Sequence, residues 1–475
     1  MGILLDATRP GDMEVLLLTL LWVFPLVGAV LLPLGGRRWA LTVLAATTLG
    51  ETLIWLWLYP QVKAHTLVSA TLPWFTWGQN TVFYALGASP ENLWLLLLAI
   101  LIGNGAIFYG FDVPRVRAFM ALMLVSLSAV LGAFLARDLV LFFVFYEASL
   151  VPAFVLIYQW GGQKRANAAI RFAIFTLSGS VLVLVGLLIG VYGGYGPSWE
   201  SWRASVLPWS VGLLLTIGFA VKLPIVPLHS WLGEAHVEAA TPVSILLAGL
   251  LLKLGGYGLL SWSWPHVGTT GQQLLIGWGL LSLFYASLVA AGQTDLKRLI
   301  AFTSISHMAY VPLGGTLPTY GLMGAYHQLF THGLVSAGLF AWVGLIEKNW
   351  QTRDLRLLGG ILQSHPRWNL YTILLFMAAI GVPGFGLFIS ELLVLWGLGT
   401  SAGWIYTALA ATNLLLSALY FLRAYQKLLT GQLRPQGAEL FLMPQESLIL
   451  LCLLLALVSG LYPQPWLSVL AHVGR

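Results

Sequence analysis

Apolar runs of about 20 residues, long enough to cross a bilayer as a helix, succeed one another along nearly the whole chain. Polar residues gather in the short gaps between them. On that spacing the sequence predicts fourteen transmembrane helices, at roughly 14–34, 39–59, 92–110, 117–135, 139–159, 170–194, 208–228, 242–262, 273–293, 299–316, 320–346, 369–398, 404–423 and 447–467. The expected fold class is an all-α polytopic membrane protein. Two of the fourteen helices are interrupted. Pro224 and Pro227 follow Lys222 within five residues, so the seventh loses backbone hydrogen bonds just after its lysine. Gly381, Pro383, Gly384 and Gly386 break the twelfth ahead of Glu391. Outside the spans, 60–91 mixes Pro, Gly and aromatic residues and reads as an external hairpin plus loop with no catalytic constellation. The stretch 424–446, with Gly431, Pro435, Gly437 and Pro444, reads as an internal loop.

Composition sharpens this picture: 59% of the 475 residues are hydrophobic and 8% charged, against about 25% charged in soluble domains. The net charge of +6 does not indicate nucleic-acid binding, because the basic residues lie in short loops and report topology. Of the 23 Lys and Arg, sixteen fall on the side opposite the termini, five on the terminal side, and Lys222 and Lys253 within spans. Both termini are therefore expected to be external, in the periplasm or its mitochondrial equivalent. Asp6, Arg9, Asp12 and Glu14 precede the first apolar run without a basic leader, so that run is read as a first span and not a cleaved signal. A lone Cys452 allows no disulfide and no Cys-ligated cluster within the chain, which assigns any redox chemistry to partners.

Ionisable groups inside a membrane are costly and mark ion or proton paths, and this chain concentrates them. The stretch 219–257 carries Lys222, His229, Glu234, His236, Glu238 and Lys253. Glu147 sits in the fifth span, either as a carboxyl hydrogen-bonded across helices or as a proton site paired with Lys222. Lys253 is about 11 residues from its helix start and about nine from its end, too far to snorkel to either interface. Burial lowers a lysine's proton affinity, which suits a reversible carrier. His307, His327 and His332 follow on successive helices, and histidine passes protons between its two nitrogens. His327 and His332 are five apart, about 140° around a helix, so they cannot share one path, and the deeper His332 is favoured. Glu391 follows the second break. Glu51, in the second span, reads primarily as a structural carboxyl. His229 and His236, seven apart across a break, with no HExxH motif, give no metal site.

The two breaks are five helices apart. That offset fits two five-helix units, helices 4–8 and 9–13, in opposite orientation, the inverted repeat of many transporters. The expected division is 1–116 for helices 1–3, 117–262 for the first unit, 273–423 for the second, and 424–475 for the loop and last helix.

Four stretches carry a family resemblance: 136–162 (ARDLVLFFVFYEASLVPAFVLIYQWGG), 221–258 (VKLPIVPLHSWLGEAHVEAATPVSILLAGLLLKLGGYG), 294–311 (TDLKRLIAFTSISHMAYV) and 381–397 (GVPGFGLFISELLVLWG). They resemble the antiporter-like membrane subunits of respiratory complex I, relatives of the Mrp-type cation/proton antiporters, and most of all the M-type branch. The resemblance spans nearly the whole chain. It implies a charge pair Glu147–Lys222, a central Lys253, a relay of His307 and His332, and a terminal Glu391 where sister subunits carry lysine. His229, His236, Glu238, Pro224 and Pro383 would support that axis. It further implies proton translocation driven by quinone reduction in partner subunits. NADH, FMN, iron–sulfur clusters and quinone would be held by those partners, and no cofactor by this chain. The implied partners are other membrane-arm subunits, lipids and protons, and no nucleic acid. The implied location is the mitochondrial inner membrane, with a bacterial plasma membrane or thylakoid as alternatives. The motifs 236–239 and 294–297 lean toward the mitochondrial and alphaproteobacterial branch. Gly233 stands where the family usually has proline, and the proline usual between Ala240 and Thr241 is missing. Rival readings are a sodium/proton antiporter, an assembly scaffold, and the equivalent subunit of a hydrogenase-linked or ferredoxin-driven complex.

Overall fold

The computed structural model describes residues 12–78, 80–431 and 443–473. Asp6, Arg9 and much of the expected 424–446 loop lie outside the described residues. Among those described, nine helices are long and apolar enough to cross a membrane. A tenth arises if Gln445–Leu461 and Gln464–Leu470, bent by 68° at a short break, are one crossing. Leu93–Tyr109, Trp209–Lys222 and Gly386–Ser401 are shorter apolar helices. The protein is a predominantly helical integral membrane protein.

The polar gap at 60–91 folds as an antiparallel hairpin, β1 (Val68–Trp77) and β2 (Asn80–Ala88), as its turn-rich composition suggested. It is pinned to the helices by one carboxylate. Asp138 caps the helix that follows it by accepting from Val140 N (2.9 Å) and Leu141 N (3.3 Å), while its other oxygen accepts from Phe83 N at 3.0 Å. A buried acid is tolerated here because three backbone donors replace its hydration.

Two helices form the interior. Thr241–Ser263 and the 31-residue Tyr320–Trp350 are buried on every face, whereas Trp404–Leu429 and Arg37–His65 are mostly open to lipid. A helix apolar all round belongs in a core. Polar side chains on these two helices therefore face other protein elements and not lipid.

Both predicted interruptions are present. Trp209–Lys222 ends at the lysine, and Ser230–Glu238 resumes after an irregular turn. In a membrane the freed backbone groups need protein partners, and they have them. Trp231 Nε1 donates to Val221 O (3.0 Å), Trp278 Nε1 to Val226 O (2.5 Å), and Val226 N to Ser282 Oγ (3.2 Å). The twelfth predicted span is likewise two helices, Pro366–Ile380 and Gly386–Ser401, with Gly381 in the left-handed region at φ 79°. Gly460 lets the C-terminal helix press against this second break, since a Cβ there would stand 2.3 Å from Gly384 O.

Gly255 performs the same service for the first break: a Cβ would lie 2.5 Å from Leu223 N and 2.9 Å from both Lys222 C and Phe219 O. Those atoms are backbone and cannot step aside. Gly255→Val is expected to destabilise the fold by about 2 kcal/mol, read as a lower Tm of the purified protein. Gly277→Ala, where a Cβ meets nothing within 4 Å, should leave Tm unchanged. Equal melting of the two variants would contradict the close packing.

Candidate functional site

Four of the six singled-out side chains form a continuous buried row. Lys253 projects from Thr241–Ser263 just after a π turn, Leu247–Leu251. Its Nζ donates to Ala248 O at 2.5 Å and lies 2.8 Å from His332 Nδ1. The His332 ring faces the His307 ring with centroids 6.0 Å apart. His307 Nδ1 then meets Glu391 Oε1 at 2.8 Å. Lys253, His332, His307 and Glu391 are each no more than 3% exposed.

Lys253 Nζ and His332 Nδ1 share one hydrogen bond, and His307 Nδ1 and Glu391 Oε1 share another. The two rings, 6.0 Å apart, are not directly hydrogen-bonded, and His307 Nε2 has no protein partner. Behind it, Gln328 Nε2 donates to His307 O (3.0 Å) and Gln328 Oε1 accepts from Ser390 Oγ (2.5 Å). This brace holds the histidine helix against the glutamate helix, and spacing alone had not singled it out.

His327 stands apart, with both ring nitrogens unpartnered and its edge toward Trp466. The row runs through His332, the histidine that helical geometry favoured.

Glu147 and Lys222 are neighbours without an ion pair. Lys222 Nζ donates to Tyr146 O (3.2 Å) and Ser149 Oγ (3.0 Å) and sits 3.7 Å from the Tyr146 ring centroid. The half-buried Glu147 takes the Ser180 hydroxyl instead. Lys222 thus bonds the residues on either side of Glu147.

On the side where basic loops cluster, an open cavity of about 460 Å³ is lined by Lys164, Glu238, Lys297, Glu347 and Arg353 among others. Glu347 bridges Lys297 (3.0 Å) and Arg353 (2.9 Å), and Arg353 also binds Asp295 at 2.5 Å. Burial works against charge on Arg353, but the Asp295 and Glu347 carboxylates raise its proton affinity above the usual range. Lys297, only 3% exposed, stands in the first turn of Leu296–Met308; the sequence places it among the loop cations, because position alone does not reveal which way that turn faces. His236, fully buried with both nitrogens unpartnered, stacks on Phe340 at 4.5 Å. His229 lies against the Tyr285 and Phe302 rings, and Glu238 accepts from Lys164 N at 2.8 Å. Pro224 and Pro383 lie in the two breaks.

Comparison with known proteins agrees with this architecture. A family model described as NADH:quinone oxidoreductase/Mrp antiporter, transmembrane, matches residues 136–417. NAD(P)H-quinone oxidoreductase chain 4 2 of Thermosynechococcus vestitus is 36% identical over 478 residues, covering 94% of this chain and 89% of that one. A chain of respiratory complex I from Thermus thermophilus with bound NADH superposes with TM-score 0.83 at 30% identity, covering 96% of this chain and 98% of that one. A chain of the Mrp complex from Dietzia sp. shares the fold at TM-score 0.85 and 21% identity, covering 97% of each. The chain belongs to the NADH:quinone oxidoreductase/Mrp antiporter transmembrane family.

Proposed function

We propose that this chain is a proton-translocating membrane-arm subunit of an NADH:quinone oxidoreductase of the complex I type. It works inside a large assembly whose other subunits carry NADH, FMN, iron–sulfur clusters and quinone. The observation that carries the reading is the buried row Lys253–His332–His307–Glu391, a chain of titratable groups with two close contacts of 2.8 Å.

The fourteen-span reading is part of the proposal. The nine long helices, the bent C-terminal pair and the three shorter apolar helices are joined by Leu296–Gly315, a helix with a kink at Ala309. Pairing Pro366–Ile380 with Gly386–Ser401 as one broken span completes the count. Helices 4–8 (117–262) and 9–13 (273–423) then form two inverted units, flanked by 1–116 and 424–475. Each unit supplies one broken helix, with Lys222 at the first break and Glu391 after the second.

A proton enters from the internal cavity at Glu238, Lys297 and Glu347, and His236 lies on its way to Lys253. It moves through His332 and His307 to Glu391 and leaves on the external side. His229, Pro224 and Pro383 shape the breaks and their surroundings. Loading is set by Glu147 and Lys222. Two unit charges about 4 Å apart at an effective dielectric near 20 attract by about 4 kcal/mol, about three pKa units. Moving Glu147 from Ser180 onto Lys222 would free Tyr146 O and Ser149 Oγ and change the field at Lys253. The cyanobacterial relative favours a bacterial plasma membrane or thylakoid over the mitochondrial inner membrane.

Lys222→Ala in an assembled complex should lower NADH-driven quinone reduction and proton uptake together, by about tenfold or more. Intact pumping would make the lysine structural. Uptake driven by a sodium gradient with no redox partner would instead identify an antiporter.

His332→Ala should cost a similar factor, while His327→Ala should stay within about twofold of wild type. Equal losses in the two variants, measured as proton uptake per NADH oxidised, would remove His332 from the path.

A further inference from the structure

Glu51 and Asn104 lie on Arg37–His65 and Leu93–Tyr109, outside both five-helix units, and the proposed path uses neither. Glu51 is fully enclosed and Asn104 is 2% exposed. Asn104 Nδ2 donates to Glu51 Oε2 at 2.6 Å and to Ile100 O at 2.8 Å, which uses both amide hydrogens. Two buried acceptors remain without a protein donor, Glu51 Oε1 and Asn104 Oδ1. Buried acceptors of this kind call for a donor between them.

Two further features converge here. Ala99–Gly103, immediately before Asn104, is a π turn, a local widening frequent at functional positions. Asn104 also lines a largely apolar cavity of about 380 Å³, with Thr48, Ile100 and Leu101, against the C-terminal helix. Among the described residues, none of Asp12, Glu14, Tyr84, Tyr109 and His472 forms a hydrogen bond or ion pair with Glu51. Asn104 is its one polar partner among the described residues. A carboxylate there would have neither hydration nor a counter-charge. The neutral acid has neither need.

We propose that Glu51 is a proton-binding site outside the main axis. The carboxylic acid carries its hydrogen on Oε1 and donates it to a water, which in turn donates to Asn104 Oδ1. Loading transfers a proton from hydronium in the cavity to the Glu51 carboxylate and leaves water, and release reverses the step. Ile102, in the same π turn, packs against Gly249 in the π turn that precedes Lys253, where a Cβ would stand 2.7 Å from the Ile102 methyl. The side site is therefore one packing layer from the central lysine.

Infrared spectra of the assembled complex in nanodiscs test this directly. At neutral pH the wild type should show a protonated-carboxyl C=O band that Glu51→Gln abolishes, that shifts down in heavy water, and that is indifferent to exchanging sodium for choline. Asn104→Ala, which keeps the acid and removes its amide donor, should move the band to higher frequency and serves if Glu51→Gln does not assemble. A spectrum in which neither variant alters any carboxyl band would overturn the site. So would a band that appears only when sodium is withdrawn, which would make a sodium ion the ligand shared by the two oxygens.

Discussion

A charge or a broken backbone bond at mid-membrane depth must find its partner inside the protein, and this one constraint organises the chain. Lys222 has Tyr146 O, Ser149 Oγ and an aromatic face; Lys253 has Ala248 O and His332; Glu391 has His307. Apart from Ala248 O, which lies one turn back on the lysine's own helix, each partner comes from a different helix. The buried polar set therefore dictates which helices stay together, and the apolar mass fills the space between them. Removing one partner leaves a desolvated group, a penalty larger than the net value of the bond itself.

The same constraint explains why the breaks stand where they do. An unbroken helix satisfies its own backbone and offers nothing to a proton or a water. A helix that stops at Lys222 exposes carbonyls and amides, and two tryptophans and a serine from neighbouring segments take them up. Glycines supply the other half of the solution. Gly255 and Gly460 bring intact helices into backbone contact with the two interruptions, so the breaks are held by packing and are not loose. A polar seam can then run through the molecule without opening it to lipid.

Much of this was legible in the residues. Apolar run length located the nine long helices, Pro224 and Pro227 located one break, and the Gly381–Gly386 cluster located the other. That His327 and His332 face different ways followed from 3.6 residues per turn, and depth favoured His332. What stayed hidden depended on side-chain direction across long sequence separations. No local pattern distinguishes Glu147 bonded to Ser180 from Glu147 bonded to Lys222, because both candidates lie more than 30 residues away in the chain. Lys297 reads as a loop cation until it is seen in the first turn of a helix, buried against Glu347. Gln328 and Ser390 brace the relay from 62 residues apart, with nothing in either neighbourhood to announce it.

The polarity of the proposed row follows from its end groups. Lys253 can start as a cation and Glu391 as an anion, both desolvated. Transfer of a proton from one to the other through His332 and His307 removes both buried charges at once. The reverse transfer must create two charges in the same apolar surroundings, so in the proposed cycle forward movement relieves buried charge and resetting restores it. Resetting requires a fresh proton at Lys253 and loss of one from Glu391. A lysine in place of Glu391 would end the row in a second base and remove this asymmetry. In the proposed cycle energy from outside the chain is needed at both ends of the reset, and at the Lys253 end it acts through the pairing of Glu147 with Lys222.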